Sequence, residues 1–136
     1  MRFIPTKIHG VLDYVTGMFL ITAPWSFSFA SEAAPGVTEN NAKSLVPIIL
    51  GIAVMLYSLF TDYEFGVSRK ISMRMHLMLD LGGGILLAAS PWLFGFADQV
   101  YLPHLIIGVL EIGAALMTKT RPAHSEDGKL RTANMH

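Results

Sequence analysis

Residues 90–97 read SPWLFGFA, and residues 23–30 read APWSFSFA. Each stretch closes a long apolar run. Proline lacks an N–H, so Pro24 and Pro91 free the carbonyls of Leu20 and Leu87 and kink or end a helix there. Ser90 can bond back to a carbonyl one turn earlier and ease that change. Trp25 and Trp92 follow, and an amphipathic ring favours the headgroup level of a bilayer. The phenylalanines beyond alternate with small residues, as in a short segment lying in the interface. The two stretches predict the same thing twice: the outer end-stop of a membrane helix.

The composition agrees. Of 136 residues, 52% are hydrophobic and 15% charged, against about 25% charged in soluble domains. The formal net charge is zero and there is no cysteine. Nucleic acid is therefore not an expected partner, and disulfide, thiolate and cysteine-metal chemistry are excluded. Ser44–Thr61 and Leu81–Ala97 contain no charged residue; Ile8–Ala30 contains only Asp13, and Gln99–Thr118 only Glu111. A membrane span needs about 20 mostly apolar residues. Four segments qualify, near 5–24, 44–62, 72–91 and 101–118. A soluble bundle would need a charged stripe along each helix, which these segments lack. Asp13 interrupts the first run and its ending recurs inside the chain, so the first segment reads as a retained helix, not a signal peptide.

The chain aligns with itself. At a shift of 67 residues His9 falls on His76, Asp13 on Asp80, Gly17 on Gly84, Leu20 on Leu87 and the PW-x-F-x-F-A ending on its copy. Beyond the first connection (residues 31–43) the shift falls to 57: Gly51 meets Gly108, Leu59 meets Leu116 and Thr61 meets Thr118. The repeating unit is a helix pair. It predicts an all-α, integral membrane four-helix bundle of two parallel two-helix repeats: residues 1–62, residues 63–119, and a polar tail at 120–136.

With Ser90-Pro91-Trp92 matching its naming motif, and Ala23 replacing serine in the first copy, the chain resembles the SPW-repeat family of small bacterial and archaeal membrane proteins. The resemblance spans about residues 5–119. It implies a multi-span membrane protein and brings no catalytic residues with it.

Nine of the ten Lys and Arg residues fall before the first helix, between the second and third, or after the fourth; Lys43 is the exception. The positive-inside rule makes that side cytoplasmic. The expected location is the cytoplasmic (inner) membrane, with both termini inside and a pseudo-twofold axis along the membrane normal.

Polar residues inside the spans are the candidate site. His9 and Asp13 are four apart, as are His76 and Asp80, so each pair shares a helix face. Gly17 and Gly84 continue those faces. Pro47, Gly51, Ser58 and Asp62 are similarly spaced in the second segment; His104, Gly108, Glu111 and Ala115 in the fourth. Small residues let helices approach closely in lipid, so these faces are expected to meet inside the bundle. Asp13 lies six residues beyond Lys7, about 9 Å deep. Ionised, a central carboxylate costs at least about 2.5–3.5 kcal/mol. Each must be paired, hydrated or protonated. Glu111 aligns with Val54 and breaks the symmetry. His104 is expected at the headgroups, and His124 and His136 in the tail. Gly82-Gly83-Gly84 lacks the following Lys-Ser/Thr of a phosphate loop.

Three functions fit. The first is a structural or accessory bundle, with Asp13 and Asp80 accepting bonds from His9, His76, Tyr14, Tyr57 or Ser58. The second is a proton or small-solute pathway through His9, Asp13, His76, Asp80 and Glu111, which favours a homo-oligomer because four helices leave little room. The third is a metal or haem site on the same histidines and aspartates. The first is the expectation: a non-enzyme without cofactor, whose partner is the lipid bilayer.

Overall fold

The structure is a computed structural model and describes residues 2–30 and 39–122, the side chains of residues 39 and 40 excepted. Four helices make up the fold: α1 (Thr6–Ser26), α2 (Glu39–Leu59), α3 (Met73–Leu93) and α4 (Leu102–Met117). Between them the described residues form two isolated β-bridges and no strand. Residues 39–43, expected in the connecting loop, already belong to α2. His124 and His136 lie outside the described residues. By length and composition, α2 from Asn41 and α3 are able to cross a membrane, while α4 is a shorter apolar helix. The polar His9, Asp13, Tyr14, Thr16 and Thr22 lower the hydropathy of α1.

Both helices end inside the PW stretches, but not at the prolines. Pro24 and Pro91 lie inside α1 and α3, which run on to Ser26 and Leu93. The stop comes four residues later. Ser28 and Gly95 adopt left-handed backbone, with φ of 58° and 75°. The next amide, of Phe29 or Phe96, donates to the carbonyl of Pro24 or Pro91 at 2.8 Å in both copies. This is a Schellman cap, in which a left-handed residue turns the chain back onto the last helical carbonyls. The proline therefore supplies the acceptor of the cap. Ser90 donates to the Leu87 carbonyl at 2.7 Å, as expected for a serine beside a freed carbonyl. Trp25 and Trp92 point outward, 64% and 57% exposed. Phe29 and Phe96 do not lie along an interface: the caps fold both rings into the bundle.

Those two rings cover His104, with centroid separations of 5.4 and 5.0 Å. His104 is buried, contrary to its expected place among headgroups. Pro47, inside α2, cannot bond to the carbonyl four residues earlier. That carbonyl belongs to Lys43, and His104 Nε2 sits 2.9 Å from it. The carbonyl accepts, so Nε2 carries the proton. The histidine repairs a backbone defect in a neighbouring helix.

α1 packs along α2, and α3 along α4; α2 meets α3 over a shorter stretch, and the remaining pairs, α1–α4 among them, barely touch. Glycines set the two tight seams. A Cβ on Gly51 would lie 2.6 Å from the Gly17 carbonyl oxygen, and one on Gly108 2.6 Å from the Gly84 carbonyl oxygen. Leu20, Val46 and Leu87 form the apolar centre, with Leu50, Phe94 and Ile107 against it. Many large apolar side chains face outward, among them Val15, Met18, Ile52, Met78, Ile85, Val109 and Leu110.

The helix ends opposite the PW caps are clasped twice. Between α2 and α3, Lys70 N and Ile71 N donate to the Phe60 carbonyl and Asp62 N to that of Ile71, at 2.7, 2.8 and 2.7 Å. Between the start of α1 and the end of α4, Phe3 N and Ile4 N donate to the Met117 carbonyl and Lys119 N to that of Ile4, at 2.8, 3.0 and 2.9 Å. Every residue of one clasp aligns with its counterpart in the other. Asp62 lies in this turn beyond α2, with Arg69 Nε 3.8 Å from its carboxylate, and not on the helix face where its spacing placed it.

Candidate functional site

The repeated His-x-x-x-Asp pairs meet just inside the clasps. Each helix places histidine and aspartate one turn apart on its inner face, and all four side chains are buried. His9 Nε2 lies 3.3 Å from Asp13 Oδ1 and 2.9 Å from Asp80 Oδ2. His76 Nε2 lies 3.0 Å from Asp13 Oδ2 and 3.2 Å from Asp80 Oδ2. Each histidine thus touches both aspartates, its own and that of the other helix. The imidazoles stand edge to face, 5.4 Å apart.

Two threonines define the rings. Thr118 Oγ1 donates to the Ala114 carbonyl at 2.6 Å and also lies 2.9 Å from His9 Nδ1. Thr61 Oγ1 donates to the Tyr57 carbonyl at 2.7 Å and lies 2.8 Å from His76 Nδ1. A hydroxyl has one proton, and here the backbone takes it. Each histidine must therefore donate Nδ1–H to its threonine. A neutral ring then presents a bare lone pair at Nε2, which is the atom facing the carboxylates. Acceptor faces acceptor four times over.

The aspartates have further partners. Tyr57 donates to Asp80 Oδ1 at 2.5 Å. Ser58 and Tyr63 donate to Asp13 Oδ2 at 3.3 and 3.4 Å. Burial pushes the Tyr63 phenol above its ordinary value, so it remains a donor. Tyr14, expected on an aspartate, donates instead to the Phe65 carbonyl at 3.3 Å. His76 Nε2 makes no well-directed hydrogen bond, although Asp13 Oδ2 and Asp80 Oδ2 lie 3.0 and 3.2 Å away.

Of the expected site residues, the structure gathers His9, Asp13, His76 and Asp80, whose ligating atoms all lie within 4.8 Å of one another. Glu111 stands apart, in the wall of a cavity of about 230 Å³ that His9, Asp13 and Asp80 border. Gly17, Gly51, Gly84 and Gly108 lie at the helix seams, away from the quartet. Pro24, Trp25, Ser90, Pro91 and Trp92 lie at the opposite ends of α1 and α3. Thr61, Thr118 and Tyr63 were not singled out for the site. The two threonines had a signal: they coincide in the self-alignment, one turn beyond a helix carbonyl that a hydroxyl can reach.

Residues 7–118 match the family described as the SPW repeat domain. No curated protein and no solved structure matches the chain.

Proposed function

As the chain belongs to the SPW repeat family, we propose that it is a non-enzymatic membrane bundle whose two helix pairs are joined by a divalent transition-metal ion on His9, Asp13, His76 and Asp80. The observation that carries this reading is the fixed tautomer. Both Nδ1 protons are committed to threonines, so both Nε2 lone pairs converge on two carboxylates. Something positive has to lie between them. A divalent ion cancels the two aspartate charges, which suits a buried site where uncompensated charge is costly. Ligand bonds of about 2.0–2.2 Å in a tetrahedron put ligand atoms roughly 3.3–3.5 Å apart. With Oδ2 taken from each aspartate, three N···O separations are 2.9, 3.0 and 3.2 Å, near those edges, and the whole ligand set lies within 4.8 Å. Nitrogen and carboxylate ligands suit Zn²⁺. The threonines are the outer partners that orient ligating histidines. Four protein ligands close the site, as in structural rather than catalytic centres.

The apolar outward residues of all four helices support a bilayer around the bundle. The clasped ends carry Arg2, Arg69, Lys70, Arg74 and Lys119, which supports a cytoplasmic orientation of those ends. The matched contacts support two helix pairs related by a twofold axis along the membrane normal.

A second reading has one observation in its favour. His9 Nε2 aligns well enough with Asp80 Oδ2 to donate a hydrogen bond at 2.9 Å. Two protonated histidines would then neutralise the aspartates without metal. Metal analysis of protein purified without chelator separates the two. One equivalent of metal is expected in the wild type, and less than a tenth of that in His9→Ala/His76→Ala. Metal-free protein that takes up no Zn²⁺ at micromolar concentration overturns the metal reading in favour of the protonated quartet.

A further inference from the structure

The quartet is nearly twofold symmetric, and its surroundings are not. On the side where α2 meets α3, Tyr57 fills the space beside the quartet. Its ring lies 5.0 Å from that of His76, and its hydroxyl donates to Asp80. The residue aligned with Tyr57 is Ala114. Both positions give their carbonyl to the matching threonine, which places them in register. Where the second phenol would stand, beside His9 and Asp13, there is the cavity of about 230 Å³. Leu12, Ile107 and Leu110 supply its apolar wall, and Ala114 its floor. It opens along the weak α1–α4 seam, beside the exposed side chains of Leu12 and Leu110.

One substitution, alanine for tyrosine, thus leaves a hole large enough for a phenol beside His9 and Asp13. A second, Glu111 at the position of Val54, adds a carboxyl group to its wall. The Asp13 oxygen Oδ1 is approached among the described residues by His9 at 3.3 Å, whereas Asp80 Oδ1 has its phenol donor. Most pockets take a ligand by an apolar body and a few placed polar groups. Here the body is a six-membered aromatic ring and the polar groups are acceptors.

We propose that this cavity binds a hydroxylated aromatic molecule, its ring in the place Tyr57 holds in the other half, one hydroxyl donating to Asp13 and a second, where present, to Glu111. The inference concerns the same site as the metal reading but stands on the position and lining of the cavity and the Asp13 carboxylate, with or without an ion. Two sources share this chemistry: a free phenol, or the head of a lipid-soluble hydroquinone arriving through the α1–α4 seam.

The probe is 4-fluorophenol, followed by fluorine NMR on detergent-solubilised protein, both stripped of metal and loaded with Zn²⁺. Saturable binding above partition into empty micelles is expected. Fluorobenzene, which lacks the hydroxyl, should bind at least tenfold more weakly. Ala114→Tyr restores the missing ring and should abolish binding while unfolding no more easily than the wild type. Glu111→Gln should weaken hydroquinone about tenfold and leave 4-fluorophenol unchanged. Displacement by a hydroquinone with an isoprenoid tail at far lower concentration than by 4-methylphenol assigns the lipid source; equal displacement assigns the free one. Saturable binding to metal-stripped protein sustains the inference even if no metal is held. Absent saturation, equal binding of fluorobenzene, or an Ala114→Tyr protein that binds the probe or fails to fold overturns it.

Discussion

At the scale of residues, the site turns on who holds each proton. Thr61 and Thr118 touch no carboxylate, yet they decide what the histidines can offer. Replacing either with valine keeps shape and removes the acceptor of Nδ1–H. The ring can then carry its proton on the other nitrogen, which spoils it as a ligand. Outer partners of ligating histidines are worth about 10–100-fold in metal affinity. Thr118→Val and Thr61→Val should each weaken Zn²⁺ binding by that factor, read by competition with a chelating dye, with helical content unchanged. Affinity should also fall as pH is lowered, because protons compete for the ligand atoms. The His-x-x-x-Asp pairs were visible in the sequence because spacing along a helix is a sequence property. The threonine contacts were not, since they depend on how the end of one helix meets the start of another.

At the scale of elements, the helices were legible to within a few residues, and their ends were misjudged for a specific reason. Proline was read as a stop because its own amide is missing. The structure uses its carbonyl, and the left-handed residue four positions on makes the turn. His104 follows the same logic: the carbonyl that Pro47 leaves free at Lys43 is a predictable acceptor, but its donor comes from another helix. The glycines allow a sharper test. A methyl group on Gly108 would meet backbone atoms of α3 at 2.6 Å, whereas one on Gly82 meets nothing within 4 Å. Gly108→Ala should therefore lose about 1–3 kcal/mol of stability from overpacking. Gly82→Ala should be neutral or gain up to about 1 kcal/mol from helix propensity. Unfolding in mixed detergent micelles, followed by circular dichroism, measures both.

At the scale of the whole molecule, residues that the self-alignment pairs make matching contacts. The alignment matched residues at both clasps, both caps, both glycine seams and the quartet. It did not foretell which seam would open, because that depends on two substitutions, Ala114 and Glu111, whose effect is the absence of a side chain and the presence of a carboxyl. The clasps carry a further consequence. One is made within a continuous stretch of chain; the other joins the two ends of the described structure with the same three hydrogen bonds. The three hydrogen bonds of the clasp therefore do not require a peptide link between the helices they join. Severed after Val67, the fragments 1–67 and 68–136 should co-purify in detergent when expressed together, and each alone should not persist. That outcome would make the protein a dimer of half-length chains sharing one backbone.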